Sequence, residues 1–149
     1  MSIIRITKQF TFEAAHALYG HDGACRNIHG HSYKLEVTLI GTPINQPGHP
    51  KHGMVMDFSD LKKIVNKEIL TPFDHALIID ANSPYAKHDF TAISQKLNLV
   101  PYQPTCENML IDFSEKIKSN LPPEVKLHSL KLHETGTSFA EWYAGDNLF

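Results

Sequence analysis

Three histidines and a cysteine carry the first chemical signal in this sequence. The stretch "CRNIHGHSYKLEVTL" places Cys25 four residues before His29, and His29 and His31 run directly into an alternating strand. Side chains two apart on a strand point to one face, about 7 Å from each other, so both imidazoles can address one ion if the strand reaches back to them. Their parity is that of Tyr33, Leu35 and Val37. His16 has the parity of Phe10 and Phe12, and becomes the third ligand if the two strands pair. Three neutral imidazoles suit zinc, and three protein ligands leave the fourth position to water or substrate. Cys25 keeps two readings at this point: a free thiol beside an open metal, or a fourth ligand that closes a purely structural site.

The elements that must position these residues follow from periodicity. Ile4, Ile6, Phe10 and Phe12 alternate with polar residues, as a half-buried strand does. Tyr33 to Leu39 alternate as a second strand, which Gly41 and the loop "GTPINQPGHPKHG" end before a hairpin-like return at "MVMDF". Phe58, Leu61, Ile64, Val65 and Ile69 have helical spacing, with Asp57 or Ser59 as N-cap. A second helix starts at "PTCEN" with Thr105 as cap; Cys106, Leu110, Phe113 and Ile117 form its apolar stripe. "VKLHSLKLHE" and "TSFAEWY" read as two further strands. The predicted order is β-β-α-α-β-β, an α+β domain spanning residues 1–149. In the middle segment, Asp80 to Gln103, the spacing of Ala86, Phe90, Ile93 and Leu97 predicts a short extra helix. Helices on one face of a small sheet leave the other face and two edges to be covered, so self-association is expected.

Composition excludes several classes. Hydrophobic residues make up 42% and charged residues 20%, and no apolar run approaches the ~20 residues of a membrane span. The net charge of −2, with Arg5 and Arg26 the only arginines and no basic run, argues against nucleic acid as a partner. The N-terminus "MSIIRITKQF" has no secretory pattern, and Cys25 and Cys106 form no C-x-x-C pair, so a cytoplasmic protein with reduced thiols is expected.

Beyond the histidines, "FTFEAAH", "CRNIHGHSY", "GMVMDFSDLK", "FDHALI", "PTCENM" and "HETGTSFAEWY" occur in an order, from Phe10 to Tyr143, that resembles the 6-pyruvoyltetrahydropterin synthase superfamily. The C-x-x-x-H-G-H interval is most similar to its queuosine-pathway branch, the 6-carboxytetrahydropterin synthases. The resemblance implies the tunnelling fold (T-fold), a four-stranded antiparallel sheet with two helices on one face, assembled as a homohexamer of two stacked trimers. It implies Zn2+ on His16, His29 and His31, with Cys25 catalytic rather than ligating. It also implies dihydroneopterin triphosphate as substrate and conversion to 6-carboxytetrahydropterin, acetaldehyde and triphosphate. A pyruvoyl-forming or aldolase-like turnover of the same pterin is the sister alternative.

Under this resemblance each residue acquires an expected role. Zinc would act as a Lewis acid on the substrate's side-chain hydroxyls. Cys25 is the base, since thiols beside a metal or an imidazolium ionise more readily. Asp74 and His75 form a proton relay that reaches the cysteine of a neighbouring subunit. Glu134 has the parity of Leu130 and Leu132, where a carboxylate needs a partner; the adjacent N3–H and 2-amino donors of a pterin supply one as a fork. Thr105 is a further contact to the pterin edge, Glu107 favours the helix N-terminus, and Arg26 is the economical choice for the triphosphate. Three departures from the family pattern stand out: a longer Asp80 to Gln103 segment, Phe73 before the Asp-His pair, and Cys106 where a small hydroxyl residue is common.

Overall fold

The computed structural model describes residues 2–148. Its frame is the hairpin of β1 (Ile4–His16) and β2 (His29–Gly41), paired antiparallel over the full length of both strands, from Ile4 opposite Gly41 to His16 opposite His29. The alternation in the sequence becomes a division between two faces. Phe10, Phe12, Ala14 and His16 of β1 point inward with Tyr33, Leu35, Val37 and Leu39 of β2, while the residues between them face outward.

Two helical segments cover the inner face. α1 (Phe58–Val65) starts at Asp57, whose carboxylate accepts the Ser59 N–H at 2.8 Å, and continues through a π-helical turn (Asn66–Leu70) into the short α2 (Thr71–Phe73). α3 (Cys106–Lys118) starts at Thr105, whose hydroxyl oxygen accepts the Asn108 N–H at 3.1 Å. Leu61, Val65, Ile69 and Phe73 meet Met109, Phe113 and Ile117 over the sheet, and the rings of Phe12, Phe73 and Phe113 interlock edge to face at the centre.

The sheet has six strands in the order β4-β3-β1-β2-β5-β6, and not the four expected. β5 (Lys126–His133) and β6 (Phe139–Tyr143), the two further strands read from the sequence, extend the β2 side antiparallel. The additions are β3 (Ala76–Asp80) and β4 (Leu97–Val100), which extend the β1 side in parallel. β3 has no alternation to betray it because both of its faces are buried: Ala76 and Ile78 enter the main core, while Leu77 and Ile79 join Ala17 in a second small core.

The predicted helix in Asp80 to Gln103 is absent; this segment forms a 3-10 turn (Pro84–Lys87), bends and β4. Local side-chain bonds capture the backbone first. Asp80 accepts the Asn82 N–H, the Ser83 hydroxyl donates to the Asp80 carbonyl, and Asp89 accepts both the N–H and the hydroxyl of Thr91. Ala86 and Phe90 owe their spacing to the second core, on which both pack. Nor is "MVMDF" a returning strand: Ile44 pins the loop by exchanging backbone bonds with Gly53 and Met54, and Val55 drops into the core.

The outer sheet face is polar over most of its extent. Thr7 meets Thr38 at 2.7 Å, Glu36 accepts from Gln9 and contacts His133, and the Ser32 hydroxyl donates to Glu13 at 2.6 Å. No described helix is long and apolar enough to cross a membrane.

Candidate active site

The register of the hairpin brings the histidines together. His16 lies opposite His29 and Ala14 opposite His31, so three imidazoles crowd the inner face at one end, with only a methyl group across from the third. One ring nitrogen from each lies within 4.8 Å of the others. Tyr33 floors the cluster, stacked on Phe12 at 4.9 Å, with the rings of His16 and His31 edge-on above it.

The tautomers follow from what the far nitrogens touch. His16 Nδ1 lies 2.7 Å from the Pro104 carbonyl and His29 Nδ1 2.7 Å from the Asn27 carbonyl. A carbonyl only accepts, so each Nδ1 carries the proton and each Nε2 of the neutral ring presents a bare lone pair. Those two Nε2 atoms stand 3.0 Å apart, and neither has a hydrogen to offer the other. A proton or a cation must lie between them. Burial first, then the neighbouring His29 and His31, push His16 down to about 4 against the support of the Pro104 carbonyl, and burial lowers His31 as well, so these two rings are neutral at pH 7. Imidazoles with converging lone pairs, those of His16 and His29 oriented by a carbonyl at the back, fit a metal ion.

Glu134 completes this end of the sheet. Its Oε1 is 2.9 Å from His31 Nε2 and 4.0 Å from His16 Nε2. The His31 contact lacks the alignment of a hydrogen bond, and His31 Nε2 is otherwise buried without a partner, a third donor atom left for a ligand. On its other side Glu134 opens with Cys106, Glu107, Ser138, Phe139 and Ala140 onto a pocket of about 210 Å³. Thr105 stands beside this pocket as the cap of α3, its oxygen already engaged by Asn108.

Cys25 occupies a 3-10 turn (Ala24–Arg26) immediately before β2. It is a free, half-buried cysteine and is not part of the group of convergent ligand atoms, which comprises the three histidines. Asp74 and His75 lie at the junction of α2 and β3. Asp74 Oδ1 accepts the Glu13 N–H at 2.9 Å and contacts His75 Nδ1 at 3.1 Å; that backbone N–H, ahead of His75 and Lys96, holds the carboxyl below the usual range. His75 has φ of +59°, the one non-glycine residue in the left-handed region among the described residues, and its N–H donates to the Glu13 carbonyl. Such a conformation costs roughly 1–3 kcal/mol and persists only where the surroundings impose it. His75 and His31 both line a cleft of about 420 Å³, shared with Glu13 and Ser32.

The site-orienting groups that residue types did not disclose belong to the backbone. The carbonyls of Pro104 and Asn27 and both peptide groups of Glu13 orient candidate site residues, and a main-chain group leaves no signature in residue type.

The buried His16 gives a pH dependence. Its folded value is depressed from 6.5 to about 4. The unfolded chain therefore binds more protons between those values, and stability present above pH 6.5 is lost as pH falls toward 4. Metal-stripped protein is expected to lose about 2 kcal/mol of unfolding free energy between pH 7 and pH 5 from this residue. Urea midpoints at the two pH values check this; a His16→Gln variant should show a smaller difference, and an equal one would count against His16 as the source.

The model of the 6-pyruvoyl tetrahydropterin synthase family matches residues 5–144. Over 144 residues the chain is 40% identical to the 6-carboxy-5,6,7,8-tetrahydropterin synthase of Haemophilus influenzae, covering 94% of this chain and 99% of that protein. Among solved structures, a protein of Wolinella succinogenes superposes with a TM-score of 0.78 at 23% identity, covering 97% of this chain and 99% of the other. The 6-pyruvoyl tetrahydropterin synthase of Caenorhabditis elegans superposes with a TM-score of 0.66 at 26% identity, covering 97% of both chains.

Proposed function

Because the chain belongs to the 6-pyruvoyl tetrahydropterin synthase family, we propose that it is a zinc-dependent 6-carboxy-5,6,7,8-tetrahydropterin synthase. It would convert 7,8-dihydroneopterin triphosphate to 6-carboxytetrahydropterin, acetaldehyde and triphosphate in queuosine biosynthesis. The observation that carries the metal-assisted reading is the pair of bare Nε2 atoms of His16 and His29, 3.0 Å apart, beside the unpartnered Nε2 of His31. The choice of the carboxy-forming branch rests on the Haemophilus relative and on the C-x-x-x-H-G-H interval.

In this reading His16, His29 and His31 hold the zinc. When bound, the metal supplies Lewis acidity toward the hydroxyl oxygens of the substrate side chain. Cys25 takes a proton from that side chain as it is deprotonated, and its exclusion from the ligand group leaves it free to do so. His75 exchanges protons with the reacting centre, while ionised Asp74 holds its Nδ1–H and so fixes the ring and its tautomer. Glu134 accepts the paired donors of the pterin from the 210 Å³ pocket, and its carboxylate so close to the metal ligands sets the ring beside the centre that acts on its side chain. Thr105 retains a hydroxyl proton to donate to the pterin edge.

The assembly belongs to the same reading. The outer sheet face is polar and largely uncovered, and β4 and β6 are edge strands, with Leu97 and Leu99 exposed on β4. Closing such edges with copies of the chain yields the hexamer of two trimers, in a cytoplasmic enzyme whose active sites lie between subunits.

The test is to incubate zinc-loaded protein with dihydroneopterin triphosphate and to identify the products by mass spectrometry. 6-Carboxytetrahydropterin with acetaldehyde is the expected result. A pyruvoyl or aldehyde product would move the chain to a sister activity, and no turnover at all would return Cys25 to the role of a structural ligand.

A further inference from the structure

We propose that Tyr85 is a positioning residue for Cys25, clamping the turn that carries the thiol; the proposal rests on the reading of Cys25 as the catalytic base. The turn Ala24–Arg26 has little to hold it in place. None of its residues is buried, Gly23 before it offers no side-chain cap, and of its own two bonds only Asn27 N–H to the Ala24 carbonyl is of ordinary length at 3.0 Å, the Arg26 N–H to Gly23 carbonyl bond being long at 3.4 Å. What fixes it is a row of three consecutive carbonyls, each taken by a donor outside the turn. The Cys25 carbonyl accepts the Leu18 N–H at 2.9 Å, the Arg26 carbonyl accepts the Tyr85 hydroxyl at 3.0 Å, and the Asn27 carbonyl accepts His29 Nδ1–H at 2.7 Å.

The three donors differ in kind. Leu18 donates from its backbone and His29 is a candidate metal ligand, so Tyr85 is the one side-chain clamp with no metal role. Its hydroxyl is itself well placed. The ring packs against the small core of Ala17, Leu77 and Ile79 and meets Tyr19 edge-on at 5.3 Å. The 3-10 turn beneath it is secured by the Ser83 hydroxyl on the Asp80 carbonyl at 2.8 Å and by the Ala86 N–H on the Ser83 carbonyl at 3.1 Å. β3 thus has the Asp74–His75 pair just before its start and the clamp on Cys25 just beyond its end. Through Tyr85, the Asp80 to Gln103 segment braces the turn that bears the thiol.

Tyr85→Phe removes only the hydroxyl and keeps the ring against Tyr19 and the small core. A turn released at one of its three external bonds spends less time in the competent position, and the rate falls by the lost fraction. The expected result is a kcat about three- to tenfold lower, with KM, bound zinc and Tm unchanged. Without substrate, alkylation of Cys25 by iodoacetamide, followed by peptide mass spectrometry with the buried Cys106 as reference, should become about threefold faster as the turn loosens. A wild-type kcat in Tyr85→Phe overturns the proposal, as does a fall in Tm with no change in kcat. A normal Tyr85→Phe beside an inactive Cys25→Ala defeats the clamp alone, whereas full turnover in Cys25→Ala defeats the reading on which the clamp rests.

Discussion

Cys25→Ala is expected to lose at least about a hundredfold and up to about ten-thousandfold in kcat, the range a positioned general base supplies, while keeping a full complement of zinc. The separation of the two effects follows from the geometry. The convergent nitrogens belong to His16, His29 and His31, and Cys25 is not among the grouped ligand atoms. The external bonds that place its turn fall on the main-chain carbonyls of Cys25, Arg26 and Asn27 and none on the Cys25 side chain, so alanine keeps them. Turnover on dihydroneopterin triphosphate and zinc content by elemental analysis measure the two quantities on the same sample. Zinc lost together with turnover would show that the sulfur is a ligand, and the closed structural site would then be the better account.

His31→Ala is expected to lose both zinc and turnover. Among the three histidines it is the cleaner one to remove. His16 is 1% exposed and bound to the Pro104 carbonyl, so its truncation would leave a core cavity and an orphaned carbonyl as well as a missing ligand. His31 lies at the partly open end, opposite Ala14, with its Nε2 free of any aligned partner. Loss of an outer-shell partner alone typically lowers metal affinity about ten- to hundredfold, so loss of a direct ligand should exceed about a hundredfold. Competition with a chromophoric chelator measures it. A thermal melt gives an independent reading: zinc should raise Tm in the parent protein by mass action and leave His31→Ala nearly unmoved. Equal zinc affinity in the two proteins would remove His31 from the ligand set.

The two variants also show how local and distant information divide in this chain. The pairing of His29 with His31 on one face needs only the two-residue period of a strand, and the parity of His16 with Phe10 and Phe12 needs no more. The caps at Asp57 and Thr105 and the apolar stripe of α3 are likewise local, because a helix start is a matter of which side chain can take an N–H two or three residues on. The family motifs are legible for the same reason, as short runs whose residue types stand together.

Local periodicity and motif were thus enough for the inward parity of the three histidines, the two strands that carry them, two capped helices, and the family to which these runs belong. The pairing of those two strands, His16 opposite His29, came from the fold, as did the remainder of the site. β3 is buried on both faces and so lost the alternation that marks a half-buried strand, and the spacing of Ala86 and Phe90 reflects a second core instead of a helix. The Pro104 carbonyl that sets the tautomer of His16 is 88 residues away from it, and Glu134 comes from beyond another strand to stand 2.9 Å from His31. The Tyr85 hydroxyl meets the Arg26 carbonyl across 59 residues. Periodicity reports only which way a side chain faces along its own strand or helix; which backbone group or carboxylate it then meets is fixed by how distant segments pack.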